Sequence, residues 1–176
     1  MMATVEDGND TRRRILAAAK KLFAERGYAA TSLADIASAV GLTKTAVAYH
    51  FHPKDRLATE LIAPAADDML ALLGADLSGP PFVEALVAFT VRHRTVIRLF
   101  MEDISRADDP APGSTGEAIR TFSDEIFAKL VGPDPSTEAR LRGWAVLGAL
   151  QWAVVHSMDQ PEDVVRASLT RIALSI

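Results

Sequence analysis

The densest group of chemically capable side chains lies in "TKTAVAYHFHPKDRL", residues 43–57, which holds two of the four histidines, two lysines and a tyrosine. Such a stretch suits a metal site, an acid–base site or a surface that reads another molecule. His50 and His52 are two positions apart, and on a helix that spacing points them about 200° from each other, so one ion is not chelated by both. His93 and His156 lack the His-Glu-x-x-His spacing of a zinc helix. The chain has no Gly-x-Ser-x-Gly elbow, no glycine loop of phosphate-cradling type and no dinucleotide fingerprint. Acidic pairs recur at Asp67-Asp68, Glu102-Asp103, Asp124-Glu125 and Glu162-Asp163, and their repetition fits solvated helix faces better than general acid–base work. The expectation is therefore a non-enzyme without metal or cofactor.

Composition points the same way. With 176 residues and 49% hydrophobic content, the chain suffices for one ordinary domain or two small ones. It has no cysteine, which excludes disulfides and thiolate zinc sites and favours the cytoplasm. The start "MMATVEDGNDTRRR" lacks an apolar secretory core, and no run approaches the roughly 18 apolar residues of a membrane span. The formal net charge of −4 is unevenly spread: residues 1–60 carry 9 Lys+Arg against 7 Asp+Glu, a net of +2, and the remainder 10 against 16, a net of −6. A basic end on an acidic body suits a chain of which one part meets a polyanion.

The elements that must position these residues are all helical in pattern. After Thr11, residues Ile15, Ala18, Ala19, Leu22 and Phe23 follow one helix face and Gly27 ends it. Thr31 or Ser32 caps a second helix through Leu33, Ile36, Ala37 and Val40, closed by Gly41. Thr43 caps a third, with Val47 and Phe51 on its inner side, and Pro53 stops it. A fourth helix starts at Lys54 and contains Pro64, which predicts a kink. Further helices are expected from Pro81 to about Arg106, breaking near His93 to Thr95, then over 117–130, 136–158 and 161–176, with "ADDPAPGSTG" as a loop.

Inside "LADIASAVGLTKTAVAYHF", Ala37, Gly41 and Val47 are spaced for a bihelical turn: a small residue where helices cross, a left-handed backbone at the turn and an apolar anchor on the second helix. With "TRRRILAAAKKLFAERGYAATSLADIA" before it and "YHFHPKDRL" after it, residues 11–57 resemble the DNA-binding domain of TetR-type (TetR/AcrR-like) transcriptional regulators. The resemblance covers about the first third of the chain. It implies an all-α fold with a helix-turn-helix domain at 10–57 and a helical effector-binding and dimerisation domain at 58–176. It also implies DNA contacts. Thr31 or Ser32 would meet a phosphate at a helix start. Thr43, Lys44, Thr45 and Ala46 would face base edges, Lys44 suiting guanine and Thr45 and Ala46 a thymine methyl. Tyr49, His50 and Lys54 would reach phosphates. The chain departs from the family at Ala48, where tyrosine is frequent; Tyr49 is placed to take over part of that role.

In the second part, Phe89, His93, Phe100, Met101, Phe122, Trp144, Gln151, Trp152 and His156 are the candidate lining of an apolar cleft with a few polar contacts, suited to a small amphipathic or aromatic effector. The competing reading makes these aromatics plain core. Ala145, Gly148, Ala149 and Val155, with Val165, Leu169, Ile172 and Ile176, form two stripes that predict a four-helix homodimer interface. The function expected is a homodimeric, ligand-responsive repressor of a palindromic DNA operator. Two alternatives stay open: a ligand carrier or enzyme keeping a degenerate helix-turn-helix, and a constitutive DNA-binding dimer without effector.

Overall fold

The computed structural model describes residues 3–104 and 115–176, with side chains from 8 onward except 100, 102–104 and 115–119. Among them the regular structure is entirely helical: α1 Ala3–Arg26, α2 Leu33–Val40, α3 Lys44–His50, α4 Asp55–Gly74, α5 Gly79–Arg92, α6 Arg94–Ile104, α7 Thr115–Val131, α8 Thr137–His156 and α9 Glu162–Ser175. No helix among the described residues is long and apolar enough to cross a membrane. The chain divides into two compact units, one ending at Ala65 and the other beginning at Ala66, so the division falls within α4.

The first unit is built around α1. Its buried face, Ile15, Ala19, Leu22 and Phe23, is joined in burial by Ile36 and Ala37 of α2, Val47 of α3, Phe51 and Leu57, with α1 packed on α2 and α2 on α3. Each fully buried side chain of this size contributes about 1.5–3 kcal/mol. The short helices need their ends secured, because eight or seven residues hold few internal bonds. Ser32 does this for α2: its Oγ accepts from the Asp35 amide at 3.2 Å and the Asp35 carboxylate accepts from the Ser32 amide at 2.8 Å, a reciprocal capping box. Gly41 closes α2 at φ 70°, and the Leu42 amide donates to Ala37 O at 2.9 Å. Thr43 Oγ1 accepts from the Ala46 amide at 3.1 Å and opens α3. The α1 helix begins earlier than its apolar pattern predicted, since the polar turn before Thr11 continues it.

The second unit centres on α5 and α8. Phe82, Leu86, Val87 and Val91 of α5 meet Val146, Leu147, Leu150 and Val154 of α8, with Met69, Ile126, Val165, Leu169 and Ala173 closing the cluster. The expected break near His93 is present: His93 ends α5 at φ −103°, ψ 20° and still donates its amide to Phe89 O. Three cations tie connections to helices. Arg94 donates to Ser157 O and Gln160 O at 3.3 and 3.0 Å, bracing the turn between α8 and α9. Lys129 donates to Ala75 O at 2.8 Å and lies 5.5 Å from the centre of the Phe82 ring. Arg92 approaches Asp68 at 3.3 Å.

Candidate nucleic-acid interface

The α3 helix is held by one side and displays the other. Val47 is fully buried against α2, whereas Thr43, Lys44 and Thr45 at its start are exposed and Tyr49 is 87% exposed. An aromatic residue left in water on an otherwise anchored helix is unusual for a core element, and it lies one turn beyond the exposed Thr45. Ala46 and Ala48 are half-buried, as is His50, whose ring meets Tyr49 edge-on at 5.3 Å. Thr43 is exposed and its hydroxyl oxygen accepts the cap bond from the Ala46 amide. The helix thus offers a lysine ammonium, two threonine hydroxyls and a phenol from one compact, rigidly seated turn and a half.

Two expected phosphate contacts, Thr31 and Lys54, have hydrogen-bond partners within the unit. Thr31 is 1% exposed, and its hydroxyl donates to Gly27 O at 2.8 Å; a buried, satisfied hydroxyl serves the turn after α1 rather than a phosphate. Lys54 donates from Nζ to Tyr28 O and Thr31 O, each at 2.9 Å, and stands 3.9 Å from the centre of the Tyr28 ring. Its ammonium is therefore committed within the unit. Ser32 is exposed, but its hydroxyl is shared with Asp35 at 2.5 Å. Those two bonds from Ser32, hydroxyl first and amide second, hold the Asp35 carboxyl below the usual carboxylate range.

Residues that support this surface lacked a signal in helical periodicity. Arg12 pairs with Glu60 and places its guanidinium 4.6 Å from the centre of the Phe51 ring. The Tyr28 hydroxyl donates to Asp55, and Arg14 donates to Val40 O at 2.9 Å. The Gly-Tyr after α1 and the Lys-Asp before α4 belong to the quoted motif, so the residues were visible although their pairing was not.

The expected effector-lining residues do not converge on one place. Phe89 and His93 are half-buried neighbours, rings 4.8 Å apart, and His93 Nε2 lies 2.8 Å from Asp68 Oδ2. Phe122 packs half-buried on the core, Met101 is half-buried on α6, and the Phe100 side chain lies outside the described residues. Trp144 stacks on Phe127 at 4.4 Å yet is 56% exposed. Gln151 is exposed, Trp152 is 63% exposed, and His156 meets it edge-on with Nδ1 2.9 Å from Trp152 O. Helix geometry accounts for this placement: α8 buries Gly143, Val146, Leu147, Leu150 and Val154, and Trp144, Gln151 and Trp152 are turned off that face.

These tryptophans instead share the outer face of α8 with Leu141, Ala145 and Gly148, all exposed, next to half-buried Ala149 and Val155. On α9 the predicted stripe splits. Val165 and Leu169 belong to the unit's own core, because they face α5 and α8; Ile172 is 46% exposed and Ile176 half-buried. Among the described residues no cluster of three or more histidine or carboxylate side chains is arranged to hold a metal ion.

Comparison with known proteins matches this geometry to a named group. Residues 15–61 match the family model described as bacterial regulatory proteins, tetR family. The HTH-type transcriptional regulator TtgR of Pseudomonas putida is 42% identical over 59 residues, 34% of this chain and 28% of that protein. The HTH-type transcriptional repressor KstR2 of Rhodococcus jostii is 34% identical over 80 residues, 43% of this chain and 39% of that protein. The match therefore spans well under half the length of these relatives. The crystal structure of PfmR, a TetR family transcriptional regulator from Thermus thermophilus, superposes with a TM-score of 0.63 at 28% identity, covering 91% of this chain and 94% of that one. These relatives are named as regulators and none as an enzyme. The exposed, capped helix α3 lies inside the segment that matches the tetR family model, and the chain as a whole shares its fold with a solved TetR family regulator.

Proposed function

We propose that the protein is a homodimeric repressor that binds a palindromic double-stranded DNA operator and leaves it when a small amphipathic or aromatic effector binds the second unit. The observation that carries the reading is the display of α3, with Lys44, Thr45 and Tyr49 outward and Val47 buried. Thr43, Lys44, Thr45 and Ala46 are the proposed base contacts, and Ser32, Tyr49 and His50 the proposed phosphate neighbours. A single α3 of seven residues buries too little for operator specificity, and two-fold symmetry doubles the contacts, with half-sites about 34–36 Å apart. The exposed Leu141, Trp144 and Trp152 support a dimer face on α8, since large apolar side chains on one helix face favour a partner. The sign of regulation follows the name of the KstR2 relative. An effector acts only by binding the released state better than the DNA-bound one.

The test is selection from a random double-stranded DNA pool by the full chain. Enrichment of a two-fold symmetric sequence, retained in a salt-dependent way, is the expected result. Failure to enrich any sequence at moderate salt overturns the reading, and a compound screen on the enriched duplex then tests effector release.

A further inference from the structure

Histidine is the side chain whose charge ordinarily changes between about pH 5 and 8, and the chain has four. The two in the second unit are turned to internal acceptors: His93 Nε2 stands 2.8 Å from Asp68 Oδ2, and His156 Nδ1 stands 2.9 Å from Trp152 O. The two in the first unit, His50 and His52, have no hydrogen-bond or ion-pair partner among the described residues. His50 ends α3, half-buried, its ring 5.3 Å from that of Tyr49 and 6.4 Å from that of Phe51. His52 is exposed two residues further on. The charged groups around them are engaged elsewhere or cationic. From α1, Arg12 lies over the Phe51 ring and pairs with Glu60. On α2 the one carboxylate, Asp35, is held by Ser32. At the start of α4, Asp55 accepts from the Tyr28 hydroxyl and Arg56 lies 3.7 Å from Glu60. Lys54, and Lys44 at the head of α3, add two cations.

We propose that the first unit takes up protons at His50 and His52 when it binds DNA, so that affinity for the operator is set by pH. No carboxylate named above pairs with either imidazole, so the counter-charge for an imidazolium comes from outside the chain. In the free chain the neighbouring Arg12, Lys54 and Arg56 disfavour a further positive charge, whereas a phosphate beside the imidazole favours it. Lysine and arginine keep their charge throughout this range, so the two histidines are the side chains that make the positive charge of this unit adjustable. The sign follows from linkage: a group that holds its proton more tightly in the complex adds affinity at low pH, and the addition is lost as pH rises through its value in the complex. The inference rests on the DNA-binding reading above.

The experiment uses the full chain and the duplex that it enriches from a random pool, with affinity measured between about pH 5.5 and 8 at fixed ionic strength. Affinity is expected to rise as the pH falls, by up to about tenfold per pH unit for each proton taken up. The slope of log affinity against log salt should steepen in step, by about 0.9 for each added charge that meets a phosphate. In the double variant His50→Gln with His52→Gln, neither quantity is expected to change with pH. An affinity that stays constant as the pH falls, or a pH dependence that persists in the double variant, overturns the inference. A second measurement needs no variant. The ring protons of His50 and His52, followed by NMR in the unaltered protein, are expected to titrate at higher pH with the duplex than without it. Titration at the same pH in both states overturns the inference even if the double variant does not fold. If the unaltered chain enriches no duplex, the regulator reading fails and the inference with it; specific binding that is indifferent to pH sinks this inference alone.

Discussion

His93 Nε2 and Asp68 Oδ2 lie 2.8 Å apart, joining the end of α5 to the second half of α4, with the Arg92 guanidinium at 3.3 Å from the same carboxylate oxygen. The His93 hydrogen bond, then Arg92, holds the Asp68 carboxyl below the usual carboxylate range. A carboxyl whose folded value is depressed contributes stability that is complete above its unfolded value and is lost as pH falls through the folded one. Asp68→Asn is therefore expected to unfold at a lower temperature than the unaltered chain at neutral pH. The difference should shrink in acid, below the ordinary carboxylate range. Thermal melts across pH check this, and a difference that stays constant or grows in acid contradicts it.

Ser32→Ala removes the acceptor for the Asp35 amide and half of the capping box. A loss of about 0.5–2 kcal/mol in the stability of the first unit is expected, read as a lower denaturant midpoint. Ser32→Asp, which keeps an acceptor but sets a second carboxylate beside Asp35, should recover only part of the loss.

Gly143 lies on the buried face of α8, and a Cβ there would stand 2.6 Å from Val131 Cγ1 and 3.0 Å from the Phe127 ring. Gly143→Ala gains about 1 kcal/mol of helix propensity but forces a stiff β-branched side chain and a ring to move, at about 1–3 kcal/mol. Net destabilisation with changed Trp144 fluorescence is the expected result, because Phe127 stacks on Trp144. A more stable variant with unchanged emission would show that α7 gives way freely.

Trp152 is 63% exposed beside Gly148 and Val155 on the outer face of α8. If that face is the dimer interface, Trp152→Glu places a charge in its centre and weakens dimerisation by about 2 kcal/mol or more. Sedimentation over a range of concentrations should then show monomer, with the far-ultraviolet circular dichroism unchanged. An unaltered sedimentation coefficient would remove this helix from the interface.

Lys44 begins α3 and is exposed. Lys44→Ala should cost about 1–3 kcal/mol of specific binding and relax the preference at the base pair it reads. Equal losses on specific and unrelated DNA would instead make Lys44 a backbone contact.

The helix-turn-helix was legible because its constraints are local. Gly41 ends α2 at positive φ, Thr43 caps α3 and Val47 is spaced to return to the core, and each of these is readable within a few residues. Tyr49 faces outward for the same reason, since it stands about 200° around the helix from the buried Val47. The partners of Lys54 were not legible, since Tyr28 O and Thr31 O lie more than twenty residues away. Backbone carbonyls carry no sequence signature.

The second unit shows the same divide. Its helices, the break at His93 and the Ser136 cap of α8 follow from local pattern. Sequence alone also determined the resemblance of residues 11–57 to a helix-turn-helix domain, because they combine turn, cap and anchor in a fixed order. Which side of α8 is inner was decided only in three dimensions. That helix carries apolar residues on both sides, so periodicity does not separate Leu147 and Leu150, which are buried, from Trp144 and Trp152, which are not. The pairing of Asp68 with His93 and the closure of Lys54 on the α1–α2 connection were likewise decided by the tertiary structure. Each depends on how distant helices approach, and that is set by the summed packing of a whole core rather than by any neighbouring residue.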